Sequence, residues 1–185
     1  MWYTEIDPSE AVSQGDIYFK CPIFSIDPST VDLSNPFGIT QVKTIIFTAN
    51  VVVVTQACDL QPTDKNIVDN VVVVPLDNVA TMKTEENKWN FVSEVRVGRR
   101  PNSYLLNKYA GNIEMGYQIA DFSTIYTVPY NLLMAFREYH GLRLRLNSPH
   151  RELLSQKFGN YFARIGLPDD DSIDKKDLEA VAKKS

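Results

Sequence analysis

The sequence predicts a mixed α+β domain: short strands around a valine-rich β core, closed off by a C-terminal helix. Three observations carry that reading. Val51–Val54 is a run of four β-branched residues, and Val71–Val74, in V-V-V-V-P-L, repeats it. Branching at Cβ restricts χ1 and favours pleated strand over helix. Neither run alternates apolar with polar, so both faces of each strand should be covered. Third, Leu154, Phe158, Tyr161, Phe162 and Ile165 recur at helical spacing after Ser148–Pro149, which suits a covering helix. Burying a valine stabilises by roughly 1.5–3 kcal/mol relative to exposing it. Side by side, the two runs make a β core. One face fills the interior of a small barrel or sheet, and the other needs a helix or a partner chain.

In chain order, residues 1–14 read as a lead-in, with Asp7–Pro8–Ser9–Glu10 favouring a turn or a short helix start. Gly15–Asp16 marks a turn, and Ile17–Lys20 favours a strand. Pro22 then confines the chain to an edge or an exit. Residues 25–38 are rich in Pro, Ser, Asp and Asn, a loop long enough to be functional or mobile. Gln41–Thr48 reads as a strand, Ala49–Asn50 as a tight turn and Val51–Ala57 as its partner. Residues 59–70 form a polar connection to the strand Val71–Leu76.

Asn78 suits the cap of a helix through about Val97, with Met82, Trp89, Val92 and Val95 on its apolar face. A basic turn, Gly98–Asn102, leads to a strand at Ser103–Leu106, then a glycine-containing loop to Gly116. Ile119–Val128 reads as another strand with room for a bulge, ended by Pro129. Tyr130–Tyr139 is a short helix with Leu132, Leu133 and Phe136 inward. Leu142–Leu146 alternates Leu and Arg, the pattern of a strand with one wet face. Ser148 as N-cap and Pro149 at the first helical position open a helix to about Ile165. Gly166 stops it, with Pro168 beyond. The charged tail from Asp169 is either one more short helix or disordered.

This organisation gives one domain with appendages: a lead-in at 1–14, a main body at 15–136, a C-terminal strand and helix cover at 137–168 and a charged tail at 169–185. Apolar residues make up 44% and charged residues 23%, as in ordinary globular proteins. A net charge of −4 argues against a duplex-DNA binder with a general basic surface, and leaves a local basic patch open. The two cysteines, Cys21 and Cys58, lack the paired spacing of a zinc site. The two histidines leave a metal site short of ligands, and no cofactor fingerprint is present. The acidic opening Met1–Glu5 has no secretory pattern, and no apolar run reaches membrane-spanning length. These features lead us to expect a cytoplasmic protein with reduced thiols and no membrane contact.

Candidate chemistry is sparse. Thr55, Gln56, Cys58 and Asp59 end the first valine strand. A Cys58 nucleophile needs a base or a cation to lower its pKa, which His150 or Arg99 would have to supply. The plainer reading makes Asp59 a turn cap and Cys58 a small buried filler. His150 lies at the start of the last helix, where the helix dipole disfavours its charged form. Arg96, Arg99 and Arg100 form the densest positive patch, beside the aromatic residues Trp89, Phe91 and Tyr104. Charge mixed with stacking surfaces can hold single-stranded nucleic acid; the alternative is a solvated turn.

Several stretches together resemble the PemK/MazF-like toxins, small SH3-like barrels that cleave RNA as dimers. They are Gly15–Asp16–Ile17 before a strand, Val51–Thr55 as a buried valine strand ending in Ser or Thr, Val71–Leu76, and D-F-S-T-I-Y-T-V at Asp121–Val128. The resemblance covers about residues 14–136. It implies a small, partly open SH3-like β-barrel with an inserted helix and a C-terminal helical cover. It also implies that Thr55 orients a scissile phosphate while Arg99 or Arg100 stabilises transition-state charge, with the RNA 2′-hydroxyl attacking in line. The family's Arg–Pro before the valine strand is missing here. Residues 41–50 hold only Lys43, and Arg100–Pro101 lies elsewhere. The expected function is therefore a catalytically silent or weakened toxin-like barrel. It would act as a protein-binding module in a bacterial defence or toxin–antitoxin setting, with a protein partner or a second copy. The alternatives are a metal-independent endoribonuclease acting on single-stranded RNA and a Cys58-centred hydrolase.

Overall fold

The computed structural model describes residues 1–30, 34, 43–61, 68–84 and 86–163. The loop expected at 25–38 beyond Thr30, the strand start at residues 41–42, residues 62–67 of the polar connection, the end of the last helix and the tail lie outside them.

The strands are β1 (Tyr3–Ile6), β2 (Asp16–Ile26), β3 (Thr44–Val53), β4 (Asn70–Asn78), β5 (Ser103–Leu106), β6 (Tyr109–Ala110), β7 (Glu114–Met115), β8 (Gln118–Asp121), β9 (Tyr126–Pro129) and β10 (Arg143–Leu146). The helices are α1 (Lys88–Arg96), α2 (Tyr130–His140) and α3 (His150–Phe162). Eight strands form one antiparallel sheet in the order β1-β10-β2-β3-β4-β8-β5, with β9 also on β4. β6 and β7 make a separate hairpin. The path ends at β1 and β5, which do not pair with each other, so the described strands form an α+β fold with an open sheet and no closed barrel. No described helix is long and apolar enough to cross a membrane.

The valine runs pair directly, Val52 opposite Val74 and Val53 opposite Val73. Side chains alternate along a strand. Val52, Val54, Val74 and Leu76 therefore join one core with Ile17, Phe122, Leu144 and Leu154 of α3. Val51, Val53, Val71 and Val73 join a second core with Tyr18, Ile23, Val128 and Leu133 of α2. Each run feeds both cores, which is why neither alternates. Helices from this chain supply the cover.

Several expectations need correction. β3 is continuous, with no turn at Ala49–Asn50. The irregularity falls in β2 between Tyr18 and Cys21, where the Asn50 side chain accepts the Lys20 N–H at 3.0 Å. The lead-in holds strand β1, paired with β10 along its whole length. Pro22 lies within β2, opposite Thr48 of β3 and beyond the two residues that β10 pairs. Asn78 ends β4 and folds the next turn, its side chain accepting the Ala80 N–H at 2.8 Å. Helix α1 starts ten residues later, with Asn87 as its cap. The segment expected as one strand at 119–128 is two, β8 and β9, both on β4. Between them Asp121 accepts the N–H and hydroxyl of Ser123 and turns Phe122 into the core. Ser148 is not a side-chain cap. Pro149 takes the N-cap position, and the Asn147 carbonyl accepts the N–H groups of His150 and Arg151.

The arginine face of β10 is not wet. Arg143 and Asp16 are fully buried and bonded at 2.8 Å. Arg143 also donates to the carbonyls of Asp7, Glu10 and Ala11. Arg145 bonds the same carboxylate and Ala11. The guanidinium forks thus staple segment 7–16 onto β10. Gly15 makes that approach feasible. Its φ is +84°, and a Cβ there would lie 3.1 Å from Leu146 Cβ.

Candidate nucleic-acid interface

Helix α1 is short and is fixed at both ends. Asn87 accepts the Asn90 N–H at 3.2 Å. Gly98, with φ +77°, turns the chain out of the helix. Arg100 then folds back, donating to Glu94 at 2.6 Å and Glu86 at 2.8 Å, with its guanidinium 5.2 Å from the Phe91 ring centroid. The helix packs on β5 at the end of the sheet.

Two adjoining hollows line this seam and share Arg96 and Leu105. The first, about 560 Å³, has apolar walls of Val79, Val92 and Leu105, with Trp89 and Tyr117 as stacking surfaces and Lys88 and Arg96 as cations. The second, about 380 Å³, is bounded by Trp2, Tyr104, Arg96 and Lys157. Among the described residues no Asp, Glu, Asn or Gln lines either hollow. Trp89 is 68% exposed, a large apolar surface left in water. Among the described residues Arg96 makes no ion pair. Lys88 Nζ donates to the Ala80 carbonyl at 3.2 Å, and Lys108 Nζ stands 6.0 Å from the Tyr117 ring centroid.

The structure thus brings together Trp89, Arg96 and Tyr104, the residues singled out for RNA. Arg99 is exposed on the turn just beyond. Arg100 is held in its two ion pairs and reinforces α1. Thr55 lies elsewhere. Its Oγ1 accepts the Val72 N–H at 2.7 Å, near the start of β4. The groove touches Val79, just past the other end of that strand, about 20 Å farther along it. Thr55 and the arginines are therefore not one cluster.

Cys58 is exposed rather than a buried filler. Its Sγ lies 3.6 Å from Asp59 Oδ1 and 3.8 Å from Gln56 Oε1. Among the described residues no His, Lys or Arg bonds to it. His150 stacks on Trp2, with ring centroids 3.6 Å apart and planes within 7°. It supports the wall of the second hollow, and burial together with the N-terminal ammonium pushes its pKa down. No three described His, Cys, Asp or Glu residues are grouped to hold a metal ion. Trp2, Lys88, Tyr117 and Lys157 are the groove residues that sequence reasoning missed. Only Lys88, next to Trp89 in the sequence, carried any local signal.

No protein-family model matches this chain, and no curated protein matches it. The resemblance to PemK/MazF-like toxins rests on the sequence stretches quoted for it.

Proposed function

We propose that this chain is a binding module that holds single-stranded RNA in the groove along α1 without cutting it. The observation that carries this reading is the pair of hollows joined at Arg96, with aromatic surfaces, cations and, among the described residues, no lining carboxylate. Every base has a π-face, and stacking one on an aromatic side chain contributes about 1–3 kcal/mol. Trp89 and Tyr117 offer such faces, and Lys88, Arg96 and Lys157 stand where the linking phosphates would run. An open groove at the edge of one sheet suits a flexible single strand better than a rigid duplex.

Binding without cleavage is favoured by what surrounds the proposed catalytic residues. In-line attack needs an acid–base pair and a cation around one phosphate. Thr55 is about a strand's length from the groove, Arg100 is neutralised by Glu86 and Glu94, and no histidine lines the hollows. In this reading the β2–β3–β4 meander corresponds to the valine-rich part of an SH3-like barrel, opened rather than closed. The toxin resemblance of the sequence supports a setting in bacterial defence or a toxin–antitoxin pair.

A protein partner is the second reading, and a separate feature favours it. Beyond the reach of β10 and β4, β2 and β3 continue as a two-stranded arm whose two edges pair with no other described strand. Phe24, Ile26 and Ile46 are exposed on it, and Cys21–Ile26 and Thr44–Asn50 carry no charge. Such an edge accepts an added strand.

The test is fluorescence anisotropy with labelled single-stranded RNA, single-stranded DNA and duplex, and a denaturing gel of the same mixtures. We expect single strands to bind, duplex to bind weakly and RNA to stay intact. Trp89→Ala should weaken binding about 5-fold or more. Raising salt should weaken it with a logarithmic slope of about −2 for three phosphate contacts. Absence of binding would retire the groove. Cleavage lost in Thr55→Ala would restore the ribonuclease reading.

A further inference from the structure

We infer that two copies of this chain pair through the free edge of β3, antiparallel and about a two-fold axis at Ile46. The inference stands apart from the groove. It commits the edge of the β2–β3 arm to one partner, a second copy of this chain.

The edge is open and unguarded. Among the described residues Thr44–Asn50 pairs with β2 alone, because β4 reaches β3 only at Val51, Val52 and Val53. Ile46 lies five residues before Val51, about 17 Å farther out along the strand. Its side chain is 63% exposed, and Phe24, opposite it on β2, is exposed too. Sheet edges are ordinarily protected by charge, proline or a bulge. β2 carries all three, in Lys20, Pro22 and the irregularity between Tyr18 and Cys21. Thr44–Asn50 carries none of them.

The sequence of that edge then selects its partner. A strand that pairs with its own copy about a two-fold axis must match itself read backwards. Thr44-Ile45-Ile46-Phe47-Thr48 does so in residue character. Centred on Ile46, the pairing sets Ile46 against Ile46, Ile45 against Phe47 and Thr44 against Thr48 of the second copy. Aromatic on β-branched and Thr on Thr are cross-strand pairs that stabilise antiparallel sheet. Residues directly opposite each other share a face. The joined arms therefore run β2-β3-β3-β2, with Phe24, Ile46, Ile46 and Phe24 in one apolar row, and the contact takes part of that row out of water. Charge does not oppose it. Lys43, just before the strand, comes opposite Ala49 of the second copy rather than opposite its own counterpart.

The experiment is sedimentation equilibrium of the full chain over a concentration series, with circular dichroism to check that each variant is folded. The wild-type chain should approach twice its monomer mass of 21.0 kDa as concentration rises. Ile46→Lys puts two like charges face to face at the two-fold axis and should raise the dimer dissociation constant about 10-fold or more. Charges at Thr44 and Thr48, both exposed, test the register. Thr44→Lys with Thr48→Lys sets lysine against lysine twice and should dissociate the dimer. Thr44→Lys with Thr48→Glu sets lysine against glutamate and should keep it. A monomer at every concentration, a dimer indifferent to Ile46→Lys, or equal behaviour of the two double variants would overturn the inference. Each of those results leaves the groove standing, since none of the substituted residues lines it.

Discussion

Arg143 is where the sequence pattern and the structure part most sharply. The alternation L-R-L-R-L reads as one apolar and one solvated face, yet Arg143 has no exposed surface. A strand's period assigns residues to faces and does not say which face meets water. Here the lead-in folds over the arginine side and Asp16 supplies the counter-charge. Removing one partner of such a pair strands the other charge, which costs about 3–5 kcal/mol. Asp16→Asn, which preserves shape, should destabilise the protein by that amount in urea unfolding. His140 gives a second residue-scale test. Its Nε2 accepts the Phe19 N–H at 3.0 Å, which requires the neutral ring, and burial pushes its pKa below the usual histidine range. The unfolded chain therefore binds this proton more readily. The contribution is complete above about pH 6.5 and is lost as pH falls through the folded value. Thermal midpoints should drop between about pH 8 and about pH 5.5, and His140→Gln, which keeps an acceptor, should flatten the slope. His150 is shifted in the same direction, so a shallower slope should remain.

Among the elements, those with local causes were legible. The two valine strands, α2 and α3 follow from β-branching, from apolar spacing and from the Pro149 start. The Trp89–Tyr104 portion of the groove was visible because one helix, one turn and one strand hold it within sixteen residues. Trp2, Tyr117 and Lys157 reach the same groove from distant parts of the chain, and nothing local marks them. α1 was overextended because Asn78 looks like a helix cap. In the fold β8 extends the pairing of β4 to Asn78 and delays the helix. The cover supplied by α3 can be tested by neighbouring substitutions. Leu154 is fully buried between the helix and the sheet, while Leu153 is 39% exposed. Leu154→Ala should cost about 2–5 kcal/mol, and Leu153→Ala should stay within about 0.5 kcal/mol of wild type. Similar losses at both would contradict this helix orientation.

For the whole molecule, two cores on opposite faces of one sheet make the structure self-sufficient on its valine strands. The open groove is confined to the α1 end. The two thiols report on this arrangement. Cys21 is buried in the second core, and burial pushes its pKa up to about 12, whereas Cys58 is exposed. A thiol reagent should label Cys58 in the native protein and reach Cys21 only on unfolding. Prompt labelling of Cys21 would show that this core opens locally. Charge also acts at this scale. A net −4 repels polyanions in general, so binding should depend on the local cations of the groove and weaken steeply with salt. The most direct measurement uses the fact that the chain has two tryptophans, Trp2 and Trp89, one in each hollow. In a Trp2→Phe variant, emission reports on Trp89 alone. Titration with a uridine octamer should quench that emission to saturation, and duplex should leave it unchanged. Emission that stays constant while anisotropy reports a bound octamer would place the strand elsewhere on the protein and contradict the groove.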